Sequence, residues 1–311
     1  MQILFEVTAP VFLIIGAGYA CASARMLTQE HIGGLARFAQ EVAIPCLLFR
    51  AVSQLDLARY ISAPAISSFY VGTLVSFVLG ITAARTLCKR NWEDSIVIGF
   101  AAMFSNTVLL GLSVVDQAFG EDTLSGTYSI IAFHAAFCYL VGITAMELAR
   151  GGGESSQLRL ATTLASTIFR NPILVAILAG FAFNFLPYSL PDMIAVPMDM
   201  LARASLPVAL FGLGGVLIRY RIAGDLPLVL IVCLISLVVH PTITWFMTDA
   251  VFELAASSVQ AAVVPAAMAP GVNGYIFACM YNRCARTAAS SILIGTAMSL
   301  LTASMWLIIL Q

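Results

Sequence analysis

Two stretches place helix-breaking and polar residues inside long apolar runs, at positions 101–107 and 266–278. The later stretch contains Pro270, which lacks a backbone donor, and two glycines that loosen the backbone beside Asn273. Where a helix breaks in this way, N–H and C=O groups lose their helical partners and become free to bind a ligand. The chemistry predicted for both stretches is therefore ligand binding by backbone and carboxamide groups, with no catalytic residue.

The candidate substrate-binding residues all lie at or beside one of these breaks. They are Ser105, Asn106, Thr107, Pro270, Gly271, Val272, Asn273, Gly274 and Tyr275. If the two breaks cross, half-helix N-termini meet beside two carboxamides, and the positive ends of helix dipoles favour an anion there. The alternative is that the small polar residues only hold neighbouring helices together. The occurrence of one such segment in each half of the chain favours a substrate site.

Two charged residues lie within apolar segments at matching places. Glu41 stands four residues before Pro45, and Arg203 stands four residues before Pro207. A charge inside a bilayer is costly and usually functional, so we expect these positions to line a substrate path or, for Glu41, to carry a coupling proton. The alternative is that each charge sits nearer to an interface, where it snorkels or pairs with a neighbour such as Arg37 or Asp199.

Histidines and cysteines also occur in the apolar segments. His134 is a further candidate for lining the path, but a buried histidine bonded to a neighbouring carbonyl is the simpler interpretation of both His134 and His240. The seven cysteines have no CxxC spacing, which predicts small buried side chains rather than metal or disulfide chemistry. We therefore expect no cofactor and no metal.

The elements that must position these residues are membrane helices. Hydrophobic residues make up 60% of the 311 positions and charged residues 10%, whereas soluble domains have about 25% charged residues. At roughly 20 residues a span, about ten helices fit. The predicted spans are 3–23, 32–54, 61–86, 95–116, 126–148, 165–187, 195–218, 227–248, 257–281 and 287–310. The predicted class is an all-α polytopic membrane protein with lipid around it and no nucleic-acid partner.

Positive charges predict the orientation of these spans. Twelve of the fifteen lysines and arginines lie in or beside the loops after the odd-numbered spans: Arg25, Arg37, Arg85, Lys89, Arg90, Arg150, Arg159, Arg170, Arg219, Arg221, Arg283 and Arg286. Basic loops stay on the cytoplasmic side of a membrane. We therefore predict a multi-pass protein of the inner (cell) membrane with both termini outside the cytoplasm.

The two halves of the chain resemble each other. Residues 10–19 align with 172–181, 44–49 with 206–211, and the Ala-Ala-Met triplet at 101–103 with that at 266–268, in order and at nearly one offset. A repeat of five spans is odd-numbered, so the second copy must enter the membrane from the opposite side. The predicted organisation is a first repeat at 1–150, a cytoplasmic linker at 151–163 and a second, inverted repeat at 164–311, with spans 4 and 9 broken and crossing.

The residues from Pro270 to Ala278, followed by Tyr281, resemble the ninth-helix signature of the auxin efflux carrier family. The residues from Phe104 to Thr107 are similar to its fourth-helix crossover, and 43–49 also fits its pattern. The bacterial members known as malonate or malate transporters are the best match. The resemblance implies a ten-helix fold like that of bile-acid symporters and NhaA-type antiporters, with a scaffold (spans 1, 2, 6 and 7) and a moving domain (spans 3–5 and 8–10). It also implies elevator-type alternating access, small organic anions as substrates, and a homodimer.

Several functions remain open at this level. The first is a secondary transporter of a small carboxylate. The second is a sodium- or proton-coupled symporter or exchanger of another substrate, although no acidic residue lies between Ser95 and Val115 or between Gln260 and Tyr281. A membrane ligand sensor without flux is the third. An intramembrane enzyme is not predicted, because no aspartate-rich metal motif, Ser/His dyad or pair of aspartates occurs.

Overall fold

The computed structural model describes residues 4–56, 61–150, 171–220 and 225–311, and these form twelve helices and no strand. The helices are α1 (Glu6–Ser23), α2 (Gln29–Ser53), α3 (Ala63–Thr86), α4 (Trp92–Met103), α5 (Thr107–Phe119), α6 (Glu121–Ala149), α7 (Pro172–Asn184), α8 (Asp192–Leu217), α9 (Leu226–Val251), α10 (Ala256–Ala266), α11 (Val272–Tyr281) and α12 (Ala285–Ile309). The predicted linker at 151–163 and the predicted start of the second repeat at 164 lie outside the described residues.

Within the described ranges, seven helices are long and apolar enough to cross a membrane, namely α1, α2, α3, α6, α8, α9 and α12. Helices α5 and α7 are shorter and also apolar. The predicted class, an all-helical membrane protein with several spans, is confirmed. The predicted span 4 is divided between α4 and α5, and span 9 between α10 and α11.

The chain divides into two compact units. One unit, here called the crossover unit, contains α3–α6 and α9–α12 together with the residues before Pro10. The other, here called the companion unit, contains α2, α7, α8 and most of α1.

Polar residues at the helix starts explain several boundaries. The Asn91 side chain accepts a hydrogen bond from the Asp94 N–H (2.8 Å) at the start of α4, and Asn171 accepts one from the Ile173 N–H (3.0 Å) at the start of α7. These caps satisfy donors that have no partner inside the helix. In α7, Pro172 occupies the first helical position, where its missing N–H costs nothing.

Inside the crossover unit, glycines allow the backbones of α3 and α4 to pack in direct contact. A Cβ atom on Gly99 would lie 2.7 Å from the Phe77 carbonyl oxygen, and a Cβ on Gly80 would lie 2.8 Å from the Gly99 Cα. Small residues allow such close approach, which gains dispersion contacts where lipid offers no hydrophobic driving force. The position of α4 is therefore determined by glycine at these two sites.

Stacked rings hold α4 against α11. The ring centres of Phe100 and Phe277 lie 3.9 Å apart and the angle between the ring planes is 4°, so the rings are stacked. Both side chains are fully buried. Gly142 of α6 leaves room for this pair, because a Cβ there would overlap the Phe100 ring. The half-helices that precede one break and follow the other therefore pack as one piece.

One end of the crossover unit is held by charges. Glu93, at the start of α4, accepts hydrogen bonds from Arg150 Nη2 (2.8 Å) and Arg283 Nε (3.3 Å). An Arg283 Nη1 atom lies 3.7 Å from Asp94, and the Arg150 guanidinium lies 4.9 Å from the centre of the Tyr281 ring. The cluster ties together the start of α4, the end of α6 and the segment after α11.

We expect Glu93→Gln to destabilise the protein by about 1–2 kcal/mol, because charge-assisted bonds from two helix ends are weakened at a carboxylate only 25% exposed. The measurement is the thermal midpoint of purified protein in detergent at low and high salt, with a smaller effect at high salt. The matched control is Glu41→Gln, which removes an exposed pair within one helix and should cost less than about 0.5 kcal/mol. Equal shifts of the thermal midpoint in the two variants would contradict a stabilising role of the charge cluster around Glu93.

Candidate functional site

The two helix interruptions meet and hydrogen-bond to each other. The Asn106 N–H donates to the Ala269 carbonyl (2.8 Å), and the Gly271 N–H donates to the Phe104 carbonyl (2.7 Å). Ser105 and Pro270 lie opposite each other between these bonds as an antiparallel bridge. Backbone groups freed from the helices are thereby satisfied in protein, as a membrane interior requires. We call this arrangement the crossover.

The residue types at the crossover suit this close backbone approach. A Cβ atom on Gly271 would lie 3.0 Å from the Phe104 ring and 3.3 Å from the Phe104 and Ser105 carbonyl oxygens. Pro270 has no N–H to leave unpaired, and its ring lies against α12, where a Cβ on Gly295 would come within 2.6 Å of it. Glycine and proline therefore act here through space and through the missing donor.

Asn106 is the cap of α5. Its side-chain oxygen accepts a hydrogen bond from the Leu109 N–H (3.3 Å), and its carbonyl oxygen accepts from the Leu110 and Gly111 N–H groups. A backbone N–H can only donate, so the carboxamide oxygen must face the helix. The Asn106 NH₂ group has no acceptor within the described parts of the chain, although the residue is only 7% exposed.

Asn273 lies in the first turn of α11 and is oriented by a residue far away in sequence. Its carboxamide oxygen accepts a hydrogen bond from the Tyr139 hydroxyl (3.0 Å). Here too, none of the described residues accepts a hydrogen bond from the NH₂ group. In both carboxamides at the crossover, the oxygen therefore accepts a hydrogen bond from the protein, and the NH₂ group remains available as a donor.

Two helix N-termini begin at the crossover. Helix α5 starts at Thr107, directly after Asn106, and α11 starts at Val272, directly after Gly271. The first N–H groups of a helix lack partners within it and carry a partial positive charge, which favours an anion. The crossover thus combines two positive helix ends with two NH₂ donors.

An aromatic cluster lies beside the crossover. The Tyr139 ring is buried among Phe100, Phe104 and Phe277, with ring centres 5.4–6.4 Å away. His134, five residues earlier on α6, has its ring centre 4.6 Å from the Phe104 ring centre. These contacts restrict the rotamers of Tyr139 and place its hydroxyl at Asn273.

His134 holds the crossover through a hydrogen bond to its backbone. It is buried, and its Nε2 atom lies 3.3 Å from the Ser105 carbonyl oxygen, so Nε2 carries the hydrogen and donates. Its Nδ1 atom faces the Cys138 thiol at 3.8 Å. Of its two interpretations, the buried histidine bonded to a carbonyl describes His134 in this structure, and His240 likewise faces the Phe69 carbonyl.

The other predicted crossover residues have different surroundings. The Ser105 hydroxyl is fully buried and has no hydrogen-bond partner among the described residues. Thr107 is also buried, and its N–H donates a hydrogen bond to the Ser105 carbonyl oxygen (2.9 Å). Gly274 faces Ala101 of α4, where an added Cβ would meet the Ala101 Cα at 3.2 Å. Val272 is half-buried, and half-buried Tyr275 packs against the Tyr220 ring at 5.4 Å.

Glu41 and Arg203 lie in the companion unit and take no part in the crossover bonds. The Glu41 carboxylate pairs with Arg37, one turn earlier on α2 (2.9 Å), and is 48% exposed. Arg203 is exposed, and Asp199 pairs instead with Arg50 through two bonds of 2.6 and 3.0 Å. The pairing with Arg37 is the alternative considered above for Glu41. For Arg203, the expected partner Asp199 is engaged elsewhere.

The prolines that follow these charges remain inside continuous helices. Pro45 lies in α2 just after a widened turn at Ala39–Ala43, and Pro207 lies within α8. Pro45 is half-buried and Pro207 exposed. The helix is not interrupted at Pro45 or at Pro207, in contrast to the interruption at Pro270.

Tyr139 is the residue at this site that sequence reasoning missed. It lies in an apolar helix without an adjacent break, so composition and spacing do not distinguish it from other buried tyrosines. The available signal was its position five residues after His134 on α6, one and a half turns away. Only the contact with Asn273, 134 positions away in sequence, reveals its role.

Comparison with known proteins extends over the whole chain. Residues 3–307 match the family described as membrane transport protein. A "putative malonate transporter" of Rhizobium meliloti (strain 1021) is 27% identical over 294 residues, covering 94% of this chain and 91% of that protein. An uncharacterised transporter of Methanocaldococcus jannaschii is 23% identical and covers 98% of both. Auxin efflux carrier component 8 of Arabidopsis thaliana is 20% identical, covering 95% of this chain and 94% of that protein.

Proposed function

This chain belongs to the membrane transport protein family, as its resemblance to auxin efflux carriers predicted, and we propose that it carries small organic anions across the cell membrane. The substrate class in this proposal is dicarboxylates such as malonate or malate. Its main support is the crossover, where both carboxamides present NH₂ donors and two helices present their positive ends. The name of the Rhizobium relative points to the same substrate class.

The proposed binding mode uses named groups in distinct roles. A carboxylate accepts hydrogen bonds from the NH₂ groups of Asn106 and Asn273. It also accepts from the first-turn N–H groups that have no partner within the described residues, which are those of Val108 in α5 and of Val272 and Asn273 in α11. Each hydrogen bond to a charged group contributes about 1.5–3 kcal/mol. Such a set of donors has no charged side chain, so it holds an anion firmly enough to select it and weakly enough to release it.

The proposed mechanism is elevator-type alternating access in a homodimer. In this scheme ten spans form two inverted five-helix repeats, and the crossover unit moves as a body against a scaffold of spans 1, 2, 6 and 7. The division of the chain into two compact units with this grouping of helices supports the scheme. So does the packing of α4 on α11 through Phe100 and Phe277, which would let both broken spans move together.

The proposed orientation has both termini outside the cytoplasm of the inner membrane. Arg90, Arg150 and Arg283 belong to three of the loops predicted to be cytoplasmic. Arg150 and Arg283 pair with Glu93 at the start of α4, and Arg90, which pairs with Asp225, also interacts electrostatically with the neighbouring Asp94. Arg85 joins them by donating to the Arg90 carbonyl (2.6 Å). This gathering supports the alternation of spans on which the orientation depends.

Charge also bears on direction and coupling. An anion leaving a cell with a negative interior is driven outward by about 2.3 kcal/mol per charge per 100 mV, so export needs no coupling ion, whereas uptake needs a cation. The broken spans lack a carboxylate beside the breaks to hold sodium, and Glu41, the predicted proton carrier, is paired with Arg37. Within this proposal both facts favour uncoupled export. If the protein imports, protons remain the predicted coupling ion.

The test is flux in proteoliposomes containing the purified protein, with radiolabelled malonate, malate and succinate. We expect saturable flux of at least one dicarboxylate that responds to membrane voltage and does not require sodium. Flux that depends on sodium would instead establish the symporter alternative, and binding without flux would establish a ligand sensor. Neither binding nor flux of any dicarboxylate would refute the proposal.

A further inference from the structure

We infer that Tyr139 is a positioning residue that sets the charge preference of the crossover by orienting Asn273. This inference rests on the proposed function, because it concerns the ligand of the same site. The observation that carries it is the single hydrogen bond from the Tyr139 hydroxyl to the Asn273 carboxamide oxygen (3.0 Å).

The direction of this bond follows from the partners available. Asn273 is the one hydrogen-bond partner of the Tyr139 hydroxyl within the described residues, and Tyr139 as a whole is only 4% exposed. A buried hydroxyl hydrogen without an acceptor is costly, so the hydroxyl donates and the carboxamide oxygen accepts. The surrounding rings of Phe100, Phe104 and Phe277 keep the tyrosine from turning elsewhere.

The consequence concerns what Asn273 offers to a ligand. A free carboxamide can rotate and present either its oxygen or its NH₂ group, so it binds donors and acceptors equally well. With the oxygen occupied by Tyr139, only the NH₂ group is left, and this group prefers an acceptor such as a carboxylate. Asn106 reaches the same state through a local bond from the Leu109 N–H, a backbone donor that every residue except proline would supply at position 109.

The two halves of the crossover therefore differ in how their carboxamides are oriented. The orientation of Asn106 is a consequence of helix capping within three residues. The orientation of Asn273 depends on one hydroxyl of α6, held in place by an aromatic cluster. Tyr139 is accordingly the position at which a single oxygen atom changes the charge preference of the site.

The experiment measures affinity for malonate and for its neutral diamide, malonamide, in proteoliposomes, with malonamide as a competitor of radiolabelled malonate. In Tyr139→Phe we expect malonate affinity to fall about tenfold and malonamide affinity to change little, so that the ratio of the two affinities shrinks. Tyr70→Phe is the matched control, because it removes another buried tyrosine hydroxyl bond, to the Ile130 carbonyl (2.7 Å), in the same unit. Its affinity ratio should equal that of the unmodified protein.

Two further variants test whether Tyr139 acts through Asn273. In an Asn273→Ala background, Tyr139→Phe should have no additional effect on malonate affinity, because the group that it orients is gone. Asn273→Asp keeps an acceptor for Tyr139 but replaces the NH₂ group by oxygen, and it should lose malonate while retaining malonamide. This variant keeps the inference testable even if Tyr139→Phe folds poorly.

Three results would overturn the inference while leaving the proposed function intact. They are an unchanged affinity ratio in Tyr139→Phe, a full tenfold loss from the same substitution in Asn273→Ala, and retained malonate affinity in Asn273→Asp. An unmodified protein that binds no dicarboxylate would instead refute the proposed function, and the inference with it.

Discussion

In the Asn106→Asp variant, we expect malonate flux to fall more than about a hundredfold while the protein stays folded. Aspartate caps a helix N-terminus as well as asparagine does, so the bond from the Leu109 N–H is preserved. The substitution replaces the NH₂ donor by a carboxylate oxygen, which loses about 1.5–3 kcal/mol of hydrogen bonding and adds repulsion against an anionic ligand. Flux of radiolabelled malonate, together with the thermal midpoint, measures both consequences.

The matched control is Asn171→Asp. Asn171 caps α7 in the companion unit by the same type of bond, from the Ile173 N–H, and lies outside the crossover. We expect normal malonate flux in this control. Malonate flux that persists in Asn106→Asp would return the polar residues of the crossover to the alternative interpretation, in which they only hold helices together.

The second large effect is expected for Gly99→Leu, which should cost about 3 kcal/mol or more of stability. A Cβ atom at this position would lie 2.7 Å from the Phe77 carbonyl oxygen and 3.0 Å from the Phe77 ring. Backbone cannot move aside as a flexible side chain can, so α4 would be pushed away from α3. We expect a lower thermal midpoint, a reduced monodisperse fraction in size-exclusion chromatography, and loss of malonate binding.

Gly16→Leu serves as the control for this substitution. Gly16 lies in α1, and a Cβ added there would meet no heavy atom within 4 Å. We expect a thermal midpoint close to that of the unmodified protein. A similar loss of stability in both variants would mean that leucine at an apolar glycine is harmful in itself, and that close packing of α3 and α4 is not the reason.

Much of the architecture could be predicted because its causes are local. Long apolar runs with few charges have no stable place outside a membrane, so composition alone determines the class. The interruption before Val272 lies inside the stretch from which it is predicted, because proline and glycine act on their own backbone. The interruption after Met103 also lies inside its predicted stretch, beside Ser105, Asn106 and Thr107, polar residues that compete with helix hydrogen bonds. The cap formed by Asn106 is local too, since it spans three residues.

Other features depended on which segments pack together. Glu41 sits within an apolar segment, which predicted a buried functional charge, but Arg37 on the same face of α2 provides a partner and the pair is exposed. Apolar sequence does not report which face of a helix is covered, because that depends on the neighbours in three dimensions. The same limit applies to Arg203, whose expected partner Asp199 binds Arg50 across 149 positions.

The crossover shows most clearly which features follow from local sequence and which depend on tertiary packing. The sequence of this protein determined that two breaks exist, which residue types occupy them, and that two asparagines lie there. Only the tertiary structure decided that the breaks hydrogen-bond to each other, through Asn106 with Ala269 and Gly271 with Phe104. It also decided that Tyr139 orients Asn273. The physical reason is that backbone preferences act over a few residues, whereas the direction of a carboxamide depends on whichever donor the packing of distant helices brings to it.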